Sequence, residues 1–582
     1  MALKQKKNKR WSTLFAGSRI LSFFVAVATS LYNKAACSIS GKILTSYDEH
    51  ASENSFIYRL FGRLDTGRRV FRPVKRTVSK LVSQSIILEK TNAYLKGWLY
   101  TRLNVYGLIA ITVGIGQTLI QLLKHYGLGI ENISFSDMFV SLLLIVLSIP
   151  LMFSQTQLNE AVCRSKGASA LMFGWLGCKK YVFEENGTLS HSKTALPIGV
   201  LICVLSWWLR PLVILGLFFV LVLALTVLYI PETGIVCLVL FVPFLRQDIL
   251  SMLIVYNCIC FLLKYIRGKR TLKFDPLATS VLALAILCIP LSGFAVTGYL
   301  GVCTFFLVIN LIKSRVWIGR CVTSLVYASF LTGLYGIVSY LAVELEIDYL
   351  IYLLNAEGFY GMSSFFSSPA VFTCYIVMTL PLVAGAGRQR GKGWVAFLAI
   401  LLSGVCLFIT ESQVGWMSLL IGMVLFMVIY SKKSLASIGI LLCALPFLFI
   451  NLPYVFFDRA YYGRLSEYVV HEIFGNIHGH VNVLTIICVM FFCCILFLCF
   501  QKNITLYSKG CSGIGKLTSL GAMTGLICFL LMGTTALKYA DYKTALMFWI
   551  VLGISTCVSG SERNNTIRSE YSEFEYSKGD SI

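Results

Sequence analysis

The stretch Pro211–Tyr229 reads PLVILGLFFVLVLALTVLY and contains no charged residue. A run of about 20 apolar residues can cross the roughly 30 Å hydrocarbon core of a bilayer as a helix, in which every backbone polar group is paired internally. The stretch therefore predicts a membrane span. Of the 582 residues, 57% are hydrophobic and 13% are charged. Soluble domains carry about 25% charged residues, so a soluble globular chain is excluded.

Apolar blocks of this kind recur along the chain, and they predict an all-α, polytopic integral membrane helix bundle. We predict sixteen spans, two of which (195–208 and 233–245) are short: 103–123, 137–153, 195–208, 211–229, 233–245, 249–263, 275–291, 293–312, 319–341, 368–387, 394–410, 414–430, 435–452, 483–500, 517–535 and 544–559. The predicted organisation begins with a basic segment, 1–102, followed by two extra spans and a cytoplasmic loop in 103–194. A core of about 12 spans occupies 195–500 and has outer loops at 342–367 and 453–482. Two more spans in 501–559 and a disordered tail, 560–582, complete the chain.

Charge in the short loops predicts the orientation. Basic residues cluster in 264–273, 313–320, 388–392 and 432–433, which all fall on one side of the predicted spans. The positive-inside rule assigns that side, and both termini, to the cytoplasm. The loop 342–357 has four acidic residues and no basic one, and we predict that it faces outward.

The net charge of +23 is concentrated near the start of the chain, where residues 1–102 hold 19 Lys and Arg against 5 Asp and Glu. Residues 70–86 combine apolar residues at helical spacing with interleaved cations, which predicts a basic amphipathic helix on anionic lipids of the inner leaflet and no nucleic-acid partner. A disordered basic tail is the alternative. The first 29 residues also imitate a signal peptide. Its cleavage would export a basic stretch, which conflicts with the positive-inside pattern, so we favour a cytoplasmic segment.

Cysteine usage indicates packing within the membrane. Most of the 20 cysteines lie inside apolar blocks, and none forms a CxxC pair. They behave there as small apolar residues, and their spacing favours neither a disulfide framework nor a zinc site.

The richest polar sequence is the predicted outer loop 453–482. Guanidinium groups donate paired hydrogen bonds that suit a diphosphate, and a neutral imidazole accepts a proton from an attacking hydroxyl near pH 7. Aromatic faces suit sugar rings or a membrane interface. A metal at His478 and His480 lacks an obvious third ligand, and histidines that cap an interfacial helix remain an alternative. The loop carries Arg459, Arg464, His471, His478, His480, Phe456, Phe457, Tyr461 and Tyr462.

Three other predicted outward turns offer polar side chains. Arg210 and Arg246 each lie at an outward turn, where an arginine either anchors a span at the interface or binds a substrate phosphate. Glu411, Ser412 and Trp416 belong to a tight outward turn that is either interfacial or part of a substrate site.

The order of these features resembles the O-antigen ligase and O-antigen polymerase superfamily over roughly residues 196–500. Members enter one span through Asn-Pro-Asn and continue to a Leu-Pro-Leu-like end. A Ser-Arg-Gly-x-Trp turn, a long outer loop and a His-x-His-Asn-like end follow. The similar pieces here are Ser368-Pro369-Ala370 with Leu380-Pro381-Leu382, Ser412–Trp416, Arg464–Tyr468 and His478–Val481.

The resemblance implies a glycosyltransferase of cell-envelope polysaccharide biosynthesis in the bacterial cytoplasmic membrane. It would move a glycan from an undecaprenyl diphosphate carrier to a glycan acceptor on the outer face, without metal or cofactor. In that scheme His480 or His478 acts as the base, and Arg464 or Arg459 stabilises the phosphate charge. Gly361 and Gln413 stand where members usually carry arginine, which leaves open a catalytically silent relative acting as a transporter, flippase or assembly partner.

Overall fold

In a computed structural model of the chain, the described residues are 86–127, 135–184, 194–267, 275–292, 296–347, 364–386, 393–410, 412–430, 483–508, 513–536 and 542–558, together with a few single positions between these ranges. Within them the backbone is mostly helical and forms no β-strand, and its one extended pairing is an isolated bridge between Arg102 and Gln157. The predicted all-α fold is confirmed.

Helices of eleven residues or more are numbered in chain order. They are α1 Ile86–Leu99, α2 Leu103–Leu122, α3 Phe135–Phe153, α4 Ala195–Leu205, α5 Pro211–Tyr229, α6 Pro231–Phe241, α7 Gln247–Ile266, α8 Pro276–Ser292, α9 Val296–Leu311, α10 Arg315–Glu344, α11 Pro369–Ala386, α12 Gly393–Ile409, α13 Gln413–Tyr430, α14 Val483–Ser508, α15 Gly513–Ala536 and α16 Tyr542–Val558.

Four helices in the described part are both long and apolar enough to cross a membrane: α2 with its continuation to Gly127, α5, α7 and α10. The stretch Pro211–Tyr229 is one of them. These helices indicate a membrane protein. The number of twelve to sixteen spans goes beyond this finding and stays a prediction. The predicted span 435–452, the outer loop 453–482 and the tail 560–582 lie outside the described residues.

Proline and serine define where several helices begin. Proline occupies the first position of α5, α6, α8 and α11, where its missing N–H costs no helical hydrogen bond. Ser314 caps α10 by accepting a hydrogen bond from the Trp317 N–H at 3.4 Å, and Ser368 does the same for the Val371 N–H of α11 at 3.4 Å. Such caps satisfy N–H groups that the first helical turn leaves unpaired.

The described residues form two compact units, one within Arg69–Gly234 and Ile259–Arg270, and a larger one that includes Ile235–Cys258 and Thr271–Ile582. In the smaller unit, α2 packs against α3 and α4. The Gln117 amide of α2 donates to the Ser206 hydroxyl at 3.2 Å, and its oxygen accepts from the Ser141 hydroxyl of α3 at 3.5 Å. One buried amide therefore links α2 to α3 and to the end of α4.

In the larger unit, α11 and α15 make close backbone contact. A Cβ on Gly521 of α15 would lie 2.6 Å from the Pro381 carbonyl oxygen, and one on Gly525 would overlap the Met378 carbonyl oxygen. Two glycines four residues apart allow helix backbones to approach in this way, which is a common packing mode in membranes.

A buried asparagine joins three helices of the larger unit. The Asn503 amide of α14 donates to the Ser555 hydroxyl of α16 at 2.6 Å, and the Ser519 hydroxyl of α15 donates to the Asn503 oxygen. All three residues are buried. Buried polar groups need partners, so this network favours one register of α14, α15 and α16.

Replacing Asn503 with alanine is expected to lower the free energy of unfolding in detergent by about 1 kcal/mol, because interhelical hydrogen bonds in membrane proteins contribute about that much. Asn257→Ala is the matched control, since the Asn257 amide donates to the Leu253 carbonyl of its own helix at 2.9 Å. Equal losses in the two variants, measured by denaturant-induced unfolding, would show that the network does not join the helices.

Candidate functional site

Lys543, in the first turn of α16, connects three segments of the larger unit. Its ammonium donates hydrogen bonds to the Phe365 carbonyl at 2.7 Å and to the Pro243 carbonyl at 2.9 Å. Pro243 lies in the turn before α7, and Phe365 lies just before α11. The lysine is partly buried.

One aromatic ring faces this ammonium, and three more lie on the neighbouring segments. The Phe366 ring centroid is 5.5 Å from the Lys543 nitrogen, within cation–π range. The Phe365 ring stacks on Tyr335 of α10 with centroids 3.8 Å apart, and Phe244 meets Phe365 edge-on at 5.0 Å. These five residues are called the lysine–aromatic cluster. The Phe366 ring is buried, whereas Phe244, Tyr335 and Phe365 are partly exposed. An ammonium suits a phosphate, and partly exposed rings suit sugar rings.

Backbone strain occurs next to this cluster. Ser364 has φ of +50°, a left-handed conformation that costs a non-glycine residue roughly 1–2 kcal/mol. Its buried hydroxyl donates to the Thr332 carbonyl of α10 at 3.0 Å. Strained residues persist where surrounding contacts hold them, and they cluster at functional sites. Ser364 thereby helps to fix the segment whose Phe365 carbonyl receives the lysine.

Two motifs that are separate in the sequence lie side by side in the structure. One is Ser368-Pro369-Ala370 at the start of α11, and the other is Ser412–Trp416 at the start of α13. The Thr373 hydroxyl, one turn into α11, donates to the Thr410 hydroxyl at 3.2 Å. A Cβ on Gly415 would overlap the Thr373 methyl carbon. The starts of α11 and α13 are therefore neighbours.

Ser412 and Trp416, both predicted to bind substrate, take part in the packing of this turn. The Ser412 hydroxyl accepts a hydrogen bond from the Gly415 N–H at 3.3 Å, which caps α13. Trp416 is partly buried, and its contacts stabilise the helices beside the site. It packs against an apolar cluster contributed by α11, α12 and α15: Cys374, Val377, Leu407, Cys528 and Met532.

Arg210 and Arg246 are exposed and belong to different units. Arg210 directly precedes α5, and its side chain makes no capping hydrogen bond. The Arg246 side chain is 85% exposed and lies 3.7 Å from the Asp248 carboxylate. An exposed pair of this kind contributes roughly 0–1 kcal/mol. Arg246 follows Pro243 by three residues, so it lies near the turn whose carbonyl receives Lys543.

The remaining predicted site residues are not among those that the structure describes. They are His478, His480, Arg464, Arg459 and Glu411. Gly361 also lies outside the described residues. Among the described residues, no group of three or more His, Cys, Asp or Glu side chains could hold a metal ion.

Comparison of the chain with protein-family models, with curated proteins and with solved structures finds no match. The apolar helices indicate a broad class, a helical membrane protein. A more specific function is argued from the residues of the candidate site in this chain.

Sequence reasoning missed Lys543, although the chain contains a signal for it. The residue immediately precedes the predicted span 544–559, at the end that the predicted topology assigns to the outer face. The positive-inside rule predicts an excess of cations on the other face. A lysine at an outer helix end does not serve that rule, so it either anchors the helix end at the interface or belongs to a site.

Proposed function

We propose that the protein binds an undecaprenyl-diphosphate-linked glycan at the outer face of the bacterial cytoplasmic membrane and transfers the glycan to an acceptor hydroxyl. This is the activity of a ligase-like or polymerase-like glycosyltransferase. An acceptor oxygen attacks the anomeric carbon, the bond to the diphosphate oxygen breaks, and the lipid diphosphate leaves. His480 or His478 takes the acceptor proton, and Arg464 or Arg459 stabilises the departing phosphate.

The observation that carries this proposal is the Lys543 ammonium held at the Phe365 carbonyl, 2.7 Å away. Phe365 lies four residues after Gly361, where the resembling family usually has an arginine. The lysine thus supplies a cation to a segment that lacks the usual one. A charge-assisted hydrogen bond to phosphate contributes about 1.5–3 kcal/mol, and the partly exposed rings of the cluster suit the sugars of the same ligand.

The predicted topology supports this use of the lysine–aromatic cluster. The turn before α7, the segment before α11 and the start of α16 are all predicted to lie at the outer face. Lys543 bonds to carbonyls in the first two from its position in the third. An outer-face site is where a glycan carried by a membrane lipid would meet its acceptor.

A catalytically silent relative is the second candidate, and a separate observation favours it. Ser412 and Trp416 are both engaged within the protein, because one caps α13 and the other packs against an apolar cluster. With Gly361 and Gln413 in place of arginines, the lysine–aromatic cluster would then bind a lipid-linked polysaccharide for transport or assembly without cleaving it.

The deciding experiment uses the full chain in vesicles, supplied with undecaprenyl-diphosphate oligosaccharide and a panel of acceptors. The expected result is release of lipid diphosphate by the wild type and a loss of release in His480→Ala and Arg464→Ala. Lys166→Gln is the control for removal of an exposed cation. If neither substitution reduced the release of lipid diphosphate, the proposed mechanism would be wrong. If the chain bound the lipid-linked oligosaccharide but released no lipid diphosphate with any acceptor, the silent relative would be favoured.

A further inference from the structure

An apolar groove runs along the crossing of α2 and α4 in the smaller unit. Its volume is about 810 Å³, and its lining is almost entirely apolar. Several of the lining side chains are exposed, which leaves a continuous apolar surface that some other molecule must cover: Ile115, Leu119, Val200, Val204, Trp207 and Trp208.

Close contact between the two helices forms the base of the groove. A Cβ on Gly116 would overlap the Cys203 sulfur, and the Cys203 thiol donates to the Thr112 carbonyl of α2 at 3.2 Å. A Cβ on Gly199 would likewise overlap the Thr112 hydroxyl oxygen. Small residues let the helix axes approach at the crossing, while the larger side chains on either side stand apart. The groove is therefore a consequence of how α2 and α4 pack.

The length of the groove matches one leaflet of a bilayer. Its lining on α2 extends from Ile111 to Ile120, which at 1.5 Å per residue is roughly 15 Å. The hydrocarbon core of a membrane is about 30 Å thick, so one leaflet supplies about 15 Å of acyl chain. The other wall, α4, has only 11 residues, a length of roughly 16 Å by the same rise.

One end of the groove carries the groups that recognise a lipid head. Trp207 and Trp208 line that end, and tryptophans favour the level of the lipid headgroups. The Lys124 ammonium lies 5.8 Å from the centroid of the Trp207 ring. Arg210, two residues after Trp208 in the chain, is exposed. A cation at the tryptophan end of an apolar groove, with an exposed arginine close by in the chain, is complementary to a phosphate on a hydrocarbon chain.

We propose that this groove binds an anionic phospholipid, with an acyl chain between α2 and α4 and the phosphate beside Lys124 and Arg210. The depth of a single leaflet and the apolar lining match an acyl chain, and the two cations match the anionic head. The site is separate from the basic segment 1–102, which is predicted to attract anionic lipids to the inner leaflet.

The test is native mass spectrometry of the full chain, titrated in detergent with phosphatidylglycerol or with phosphatidylcholine. The wild type is expected to retain phosphatidylglycerol more tightly. Lys124→Gln is expected to reduce that preference about fivefold, the factor that corresponds to about 1 kcal/mol for one cation near the surface. Val204→Trp fills the groove and is expected to reduce retention of both lipids.

Leu217→Trp is the matched control, since Leu217 is an exposed apolar residue of α5 outside the groove. Lipid bound by residues 1–102 is common to every variant and cancels in the comparison. Retention in Val204→Trp equal to that in Leu217→Trp would overturn the site. Equal retention of the two lipids by the wild type would overturn the recognition of an anionic head.

Discussion

Lys543→Met is expected to weaken binding of an undecaprenyl-diphosphate-linked glycan by about tenfold to a hundredfold, since a charge-assisted hydrogen bond to phosphate contributes about 1.5–3 kcal/mol. Methionine keeps much of the length of the side chain and removes the charge. The measurement is equilibrium binding of the lipid-linked oligosaccharide to the purified chain, with Lys166→Gln as the control that removes an exposed cation elsewhere.

The salt dependence of binding separates a charge that contacts phosphate from a lysine that only joins three segments. Screening weakens an ionic contact as salt is added, so the affinity of the wild type is expected to fall with salt more steeply than that of Lys543→Met. Lys543 also holds the Phe365 and Pro243 carbonyls, and the methionine variant is therefore expected to unfold more easily. Lower stability with unchanged affinity and salt slope would assign the lysine a purely structural role.

The helices of this protein were predictable because their signals are local. An uncharged run such as Pro211–Tyr229 is complete in itself, and a proline such as Pro369 marks a helix start at its own position. The same local patterns do not specify the pairing of distant segments. Lys543 and Phe365 are 178 positions apart, and neither the charge nor the hydropathy of either segment identifies the other as its partner.

Helix packing shows an intermediate degree of predictability. The spacing of Gly521 and Gly525 is visible in the sequence and is typical of closely packed membrane helices. Its partner, the backbone of α11 near Met378 and Pro381, is known only from the structure. The packing of Trp416 against an apolar cluster was not predictable for a similar reason, because a polar turn in the sequence does not indicate which of its side chains the neighbouring helices cover.

Gly525→Ala is expected to lower the free energy of unfolding by about 1–3 kcal/mol, the usual cost of forcing an extra carbon into a packed interior. The new Cβ would overlap the Met378 carbonyl oxygen. That oxygen belongs to the backbone, so a change of side-chain rotamer cannot relieve the contact and the two helices have to separate. The measurement is reversible unfolding of the purified chain in mixed micelles.

Gly404→Ala on α12 provides the matched control, because nothing lies within 4 Å of the Cβ it would add. There the substitution only lowers the conformational freedom of the unfolded chain, and it is expected to stabilise the helix by roughly 0.5–1 kcal/mol. The two glycines thus undergo the same chemical change with opposite expected signs. If both substitutions raised the stability, the close approach of α15 to α11 would be wrong. A loss confined to Gly525→Ala would place α15 directly against the backbone of α11, the helix that begins three residues after Phe366 of the lysine–aromatic cluster.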